Sequence, residues 1–442
     1  MIRDRRMTRT RCLVVIMVLF LCALREAAAQ GPSPIPPPQR LTLHDAEALA
    51  LKNNPQITIA RLSSLASQQV VRQTRAGLLP TAAISLTGVD AEENSRIGAG
   101  ALNNPILFSR AATGTTISQL ITDFGRSANL LSSSRLRAKA EDQNAIATAQ
   151  QIGLVVDQTF YQTLQTAALV KVAAQTVAER QTVVDRVQAL TTAKLKSDLD
   201  LSFAQVDLAQ ARLLLLEAQN NSNSAQASLS AILGFQSLQN FELVEEDATF
   251  PAPPPDVDSL ITEALQKRPD LAALAYGYQA SRKFRDAERD LMRPTVSALA
   301  TLGVVPFDTG HMPSWWGAAG VNINLPVFNG FLFSARAHEA ELASQAENQR
   351  LVDLRNRVAR DVRTAWLDLN RTYSQMDVAR QLQQQAGLAL NLAQTRYDLG
   401  LGSIVEFSQA ELQKTQADIS STTARYQYRF AQARLRYELG EH

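Results

Sequence analysis

The chain repeats itself. Residues 119–234 align with residues 325–440 at a constant offset of 206 and without a gap, so that Phe160 falls on Trp366, Ala204 on Ala410 and Leu233-Gly234 on Leu439-Gly440. Upstream, Asn54-Pro55 and Arg268-Pro269 are each followed 25 residues later by a second proline, Pro80 and Pro294, now at an offset of 214. The eight extra residues therefore lie between Pro80 and Gln119. A period of about 200 is too long for a solenoid, whose units run to about 20–50 residues. The duplication implies two pseudo-symmetric halves, a first repeat over 41–246 and a second over 256–442. A Pro-rich linker over 247–255 joins them and a Pro-rich segment over 30–40 precedes the first, both too stiff and donor-poor to continue a helix.

Residues 1–29 stand apart from the duplication. Arg3, Arg5, Arg6, Arg9 and Arg11 precede an apolar run of 13 from Cys12 to Leu24, and Ala27-Ala28-Ala29 offers small residues for cleavage. This is the pattern of a secretory signal peptide, and the run is shorter than the roughly 20 residues of a membrane anchor. Leu21 before Cys22 is bulky for a lipoprotein signal, so cleavage after Ala29 is expected. Removing 1–29 takes six Arg and two acids, turning the net charge from +2 to −2, and takes both cysteines. The exported chain then has no disulfide and no bulk charge suited to nucleic acid.

Each repeat carries the same order of elements. A short helix stops at Asn54-Pro55 or Arg268-Pro269, because proline drives the preceding residue out of the helical region. A longer helix follows and ends at Pro80 or Pro294. The period then changes to two: Val296, Ala298, Ala300, Leu302 and Val304 alternate with other residues, as do Val321, Ile323 and Leu325 around Asn322 and Asn324. Strands are thus expected near 81–90, 111–122, 295–305 and 317–328, about the length that crosses a bilayer when tilted. Trp315-Trp316 is expected at an interfacial position. The stretches from Gly125 to Leu190 and from Gly330 to Arg396 contain no proline. As continuous helices each would be about 100 Å long, returning as shorter helices over 198–233 and 404–439. Ala386, Ala389 and Ala393 permit close helix packing.

Four amphipathic strands cannot close a barrel, and open sheet edges are not tolerated in hydrocarbon. Two copies would give eight strands, which enclose only side chains; three would give twelve, which leave a lumen. The ordered set Asn54-Pro55, Leu79-Pro80, Thr122-Asp-Phe-Gly-Arg126, Arg268-Pro-Asp270, Pro326-Val-Phe-Asn-Gly330 and Tyr397-Asp-Leu-Gly400 resembles the TolC-like outer membrane efflux proteins over nearly all of the chain beyond residue 29. The resemblance implies a mainly α fold with a membrane β-barrel portion: a homotrimer with a 12-stranded β-barrel continuous with a 12-helix α-barrel. It also implies an exit duct in the outer membrane of a Gram-negative-type bacterium, reaching into the periplasm. The duct would belong to a tripartite efflux or type I secretion system, passively exporting small molecules or polypeptides. Its partners would be a periplasmic adaptor protein and an inner-membrane pump. The alternative is a periplasmic coiled-coil scaffold or adaptor without a barrel.

No enzyme is expected. His44, His311, His338 and His442 are scattered singly, without metal-ligand spacing, and no Gly-Lys-Ser/Thr phosphate loop or Gly-x-Ser-x-Gly elbow is present, so no cofactor is implied. The informative acids lie at the hairpin tips, in Ser197-Asp-Leu-Asp200 and Ser403-Ile-Val-Glu406. By chemistry alone Ser197 and Ser403 are helix caps, and Asp200 and Glu406 favour the positive helix start. By resemblance, Asp200, Glu406 and Tyr397 would also form a periplasmic gate. Two positions depart from the family: its second ring acid aligns with Gln409, and the arginine of its closing network aligns with Gly402. Lys194, Leu195 and Lys196 of one tip and Gly400, Leu401 and Gly402 of the other are candidate adaptor contacts, with a solvated basic turn as the plainer reading of the lysines.

Overall fold

A computed structural model describes residues 39–92, 95, 108–245, 249–308 and 313–441. The expected signal peptide, Cys22, His311 and His442 lie outside the described residues. The chain divides into two compact units. In the small one, Gln39–Leu41 (β1) and Phe241–Leu243 (β4) pair in parallel, Gln39 opposite Phe241 and Leu41 opposite Leu243. Val244 N donates to Leu41 O at 3.0 Å to extend the pair.

The large unit holds eight helices among the described residues and a four-stranded sheet. In order, α1 is Leu43–Asn53, α2 is Pro55–Ala76, β2 is Thr81–Val89, β3 is Arg110–Thr122, α3 is Arg126–Thr192 and α4 is Asp198–Ile232. The second repeat gives α5, Val257–Lys267; α6, Pro269–Arg289; β5, Thr295–Asp308; β6, Trp315–Asn324; α7, Leu332–Asp398; and α8, Ile404–Leu439. The last strand begins at Trp315 and stops at Asn324, earlier than the span 317–328 suggested by alternation. Leu325 precedes Pro326, which has no amide to give to a ladder.

The sheet order is β2-β3-β5-β6, all antiparallel, with bulges in β3 at Ala111/Thr113 and Leu120/Thr122. Directly paired residues share a face, so the register sorts the side chains. One face carries Ile84, Leu86, Ile117, Leu302, Val304, Trp315, Val321 and Ile323, all exposed. The other carries mostly polar residues, Ser85, Thr116, Ser118, Thr301, Trp316, Asn322 and Asn324, with Leu120 and Leu299 among them. The two tryptophans expected together at an interface therefore stand on opposite faces, as neighbours in a strand must.

Helices α3 and α7 are each 67 residues long, and they fold back on α4 and α8 as antiparallel hairpins. Their seams run on alanine at intervals of seven: Ala204, Ala211, Ala218 and Ala225 in α4, Ala379, Ala386 and Ala393 in α7, and Ala410, Ala417, Ala424 and Ala431 in α8 are all buried. Ala389 is exposed and lies off this seam. A seven-residue repeat keeps one stripe toward the partner through a left-handed supercoil, and alanine brings the backbones close.

The duplication is visible in how the return helices end. Gly234 (φ 86) and Gly440 (φ 80) terminate α4 and α8 in left-handed caps. A Cβ on Gly234 would lie 2.8 Å from Asn53 O, and one on Gly440 would lie 3.2 Å from Arg268 Cα. Buried Asn54 accepts from Gln56 N at 2.9 Å to start α2 and donates to Ile232 O at 3.1 Å. Arg268 occupies the equivalent place with a longer reach, binding Asp270 at 2.7 Å and the side chain of Glu438.

The linker between repeats is fastened along its described part. Tyr428, wholly buried in α8, donates its hydroxyl to Pro251 O, and Trp366 Nε1 in α7 donates to Pro254 O at 2.8 Å. Arg429 lies 4.5 Å above the Phe250 ring, and Arg425 binds Glu245 at 2.9 Å.

Candidate functional site at the hairpin tips

The two tips are built alike from unlike residues. Helix α3 ends in a turn in which Lys194 adopts φ 62, and Leu195 N donates to Leu190 O at 2.9 Å. Helix α7 ends with Gly400 at φ 71, and Leu401 N donates to Arg396 O at 2.8 Å. Lys194 and Gly400 are related by the offset of 206; glycine takes this conformation freely, whereas a Cβ makes it costly.

Ser197 caps α4 by accepting from Asp200 N at 3.2 Å, while Asp200 Oδ2 accepts from Ser197 N at 3.1 Å and from its hydroxyl at 3.0 Å. This closes a reciprocal capping box. Ser403 caps α8 through Glu406 N at 3.2 Å, but the Glu406 carboxylate does not turn back to the cap. It accepts from Arg396 Nε at 2.9 Å, and Arg396 Nη2 also holds Leu401 O at 3.2 Å. The residue equivalent to Arg396 in the first tip is Leu190, which offers no donor. One acid thus serves its own helix start, and its counterpart serves a guanidinium.

Gly402 lies directly under that pair. A Cβ there would stand 3.2 Å from both Arg396 Cβ and Glu406 Oε2. The arginine that the family resemblance places at 402 is absent, and the tip receives its guanidinium from position 396 instead.

Tyr397 is the buried centre, 3% exposed, with its ring stacked on Phe407 at 5.6 Å between centroids and 8° between planes. Lys196 crosses from the other tip to lie 3.9 Å over the Tyr397 ring and 3.4 Å from Tyr397 O. The Tyr397 hydroxyl is buried without a hydrogen-bond partner among the described residues. Burial, then the charges of Asp200 and Asp398, push its pKa above the ordinary 10.0.

Further ties join the two hairpins behind the tips. Arg186 meets Asp398 at 3.2 Å, Ser408 donates to Asp207, and Arg180 pairs with Glu411, both partners of that last pair being buried. An apolar cluster of Val184, Val187, Leu208, Ile404 and Phe407 surrounds Tyr397. Sequence reasoning singled out Tyr397, Asp200, Glu406 and the tip residues. It passed over Arg396, Phe407, Arg180, Asp207, Ser408 and Glu411, whose only signal is a charge, a hydroxyl or a ring on a long helix.

Lys196 and Tyr397 are brought together, as are Glu406, Arg396 and Gly402. The side chains of Leu195 and Leu401 stand apart from both groups, the residues being 71% and 68% exposed, although Leu401 O is held by Arg396. His44 and His338 lie on α1 and α7, and among the described residues no three His, Cys, Asp or Glu side chains come together as metal ligands. No described helix is long and apolar enough to cross a membrane.

Comparison with known proteins agrees with this architecture. Protein CyaE of Bordetella pertussis is 24% identical over 430 residues, covering 93% of this chain and 86% of that one. The probable efflux pump outer membrane protein TtgC of Pseudomonas putida is 24% identical over 371 residues, covering 82% and 75%. Among solved structures, CusC superposes with a TM-score of 0.79 at 19% identity over 90% of this chain and 92% of that one. The Campylobacter jejuni CmeC outer membrane channel superposes with a TM-score of 0.77 at 18% identity over 90% and 85%. The fold is therefore that of outer-membrane channels, mainly helical with a β-barrel portion. The model of the outer membrane efflux protein family matches residues 48–235 and 260–441, so both repeats are covered, and the chain belongs to that family, whose members are exit ducts of the outer membrane that extend into the periplasm.

Proposed function

We propose that three copies of this chain close one duct, each giving its four strands to a twelve-stranded barrel and α3, α4, α7 and α8 to a twelve-helix ring below. The observation that carries this reading is the sheet itself. It exposes a mainly apolar face, and among the described residues its outer strands β2 and β6 each pair on one side only. In lipid those edges must be paired, and neighbouring copies supply the partners. A coiled-coil scaffold would leave both the face and the edges unexplained.

Transport through such a duct is passive, and the duct has the fold of channels rather than enzymes. Energy comes from an inner-membrane pump reached through a periplasmic adaptor, and small molecules or polypeptides pass. The adaptor meets the tips at Lys194, Leu195, Lys196, Gly400, Leu401 and Gly402. Of these, Lys194, Leu195 and Leu401 offer free side chains, since Lys196 is held over Tyr397 and Gly402 lies under the Arg396–Glu406 pair. Asp200, Glu406 and Tyr397 form the periplasmic gate, with Arg396 masking part of the acidic charge.

The test is conductance in planar bilayers with heat-modifiable migration as the check on assembly. Wild-type protein is expected to migrate as a heat-labile trimer and to form pores. Arg396→Gln raises cation over anion preference by unmasking Glu406, while Glu406→Gln and Asp200→Asn lower it. Equal selectivity in all four proteins would remove these acids from the gate, and a detergent-independent monomer would remove the duct.

A further inference from the structure

On the polar face of the sheet, one rung runs Ser85, Gly114, Gly303, Trp316 across all four strands. The indole does not stand out from this rung but lies across the two glycines. A Cβ on Gly303 would fall 2.5 Å from Trp316 Cε2, and one on Gly114 would fall 2.8 Å from Cζ2. Any side chain larger than hydrogen at either position would displace the ring. Trp316 therefore leans inward from β6 over β5 and β3, with one face on backbone, and it remains 36% exposed.

The surroundings define what the other face can take. Of the two adjacent rungs on this side, one is Ala83, Thr116, Thr301 and Ala318 and the other includes Thr87 and Ala112, while the rung itself ends in Ser85, whose hydroxyl is turned to Gly114 O at 3.5 Å. None of these side chains carries charge. An open indole on a neutral, hydroxyl-lined wall offers a flat π surface on which a planar ring can stack without a charged side chain beside it. Trp315, 65% exposed on the apolar face, is the same side chain one residue away with the opposite outlook.

We propose that Trp316 is an aromatic shelf on the inner wall of the barrel, where planar aromatic solutes stack as they leave. This rests on the duct reading, because only in a closed barrel does the polar face line a lumen. Three copies would place three such shelves at one height.

The experiment uses the assembled full chain with Trp315→Phe and Trp366→Phe, which leaves Trp316 as the last of the chain's 3 tryptophans. The probes are 1-methylquinolinium, planar and aromatic, and acrylamide, which quenches indole by collision and has no aromatic ring. Static quenching, with intensity falling and lifetime unchanged, is expected for the first alone. In bilayers, current blocks by 1-methylquinolinium are expected to shorten about tenfold in Trp316→Leu. They should shorten less in Trp316→Phe and be unchanged in Trp315→Leu. Heat-modifiable migration verifies that each variant assembles. Collisional quenching by both probes, or equal loss in the Trp315 and Trp316 variants, would overturn the shelf. Absence of pores in the wild type would instead overturn the duct, which separates the two failures.

Discussion

An acid's role at the tips is decided ten residues before it. Leu190 leaves Asp200 to its capping box, whereas Arg396 draws Glu406 off the cap and onto itself. Tyr397 is governed by burial in the same way. Its neutral form is favoured in the folded chain, so its contribution to stability is complete below pH about 10 and is lost as pH rises through its raised value. Alkali is therefore expected to loosen the tips. The unfolding midpoint, followed by helical circular dichroism, should fall above pH about 10 in the wild type and fall less in Tyr397→Phe. The capping serines were legible in the sequence because their chemistry is local. The Arg396–Glu406 pair was not, because it depends on how tightly the turn at Gly400 and Gly402 closes.

At the scale of elements, the two hairpins are held together by polar ties set in an apolar seam. Arg180 and Glu411 are both buried, so removing Glu411 takes away the ion-pair partner of Arg180 and leaves it the charges of Asp207 and Glu179 alone. Glu411→Ala is expected to destabilise the hairpin contact by about 3–5 kcal/mol, and the double variant Arg180→Met/Glu411→Leu to recover most of that loss. Denaturant melts followed by helical circular dichroism would measure both. Proline-free runs, Asn54-Pro55 and Arg268-Pro269 made the helices and their boundaries legible. The seven-residue alanine seam was only partly so: Ala386 and Ala393 belong to it and Ala389 does not, since the stripe depends on which neighbouring helix it faces.

For the whole molecule, the alternation of β5 and β6 announced an amphipathic sheet, but which rungs align depends on pairing across segments far apart in the chain. That is why the seat of Trp316 on Gly114 and Gly303 escaped notice. The faces make a direct prediction. Val321→Arg, on the apolar face, is expected to cost about 2–4 kcal/mol of insertion stability near the bilayer midplane, whereas Asn322→Arg on the opposite face should be tolerated. Refolding into lipid vesicles, scored by heat-modifiable migration, distinguishes them. The fastening of the linker by Trp366, Tyr428 and Arg429 has a mechanical corollary. Every pin lies on α7 or α8, so the tether is welded onto the second repeat and travels with that half, adding no slack of its own between Phe250 and Pro254.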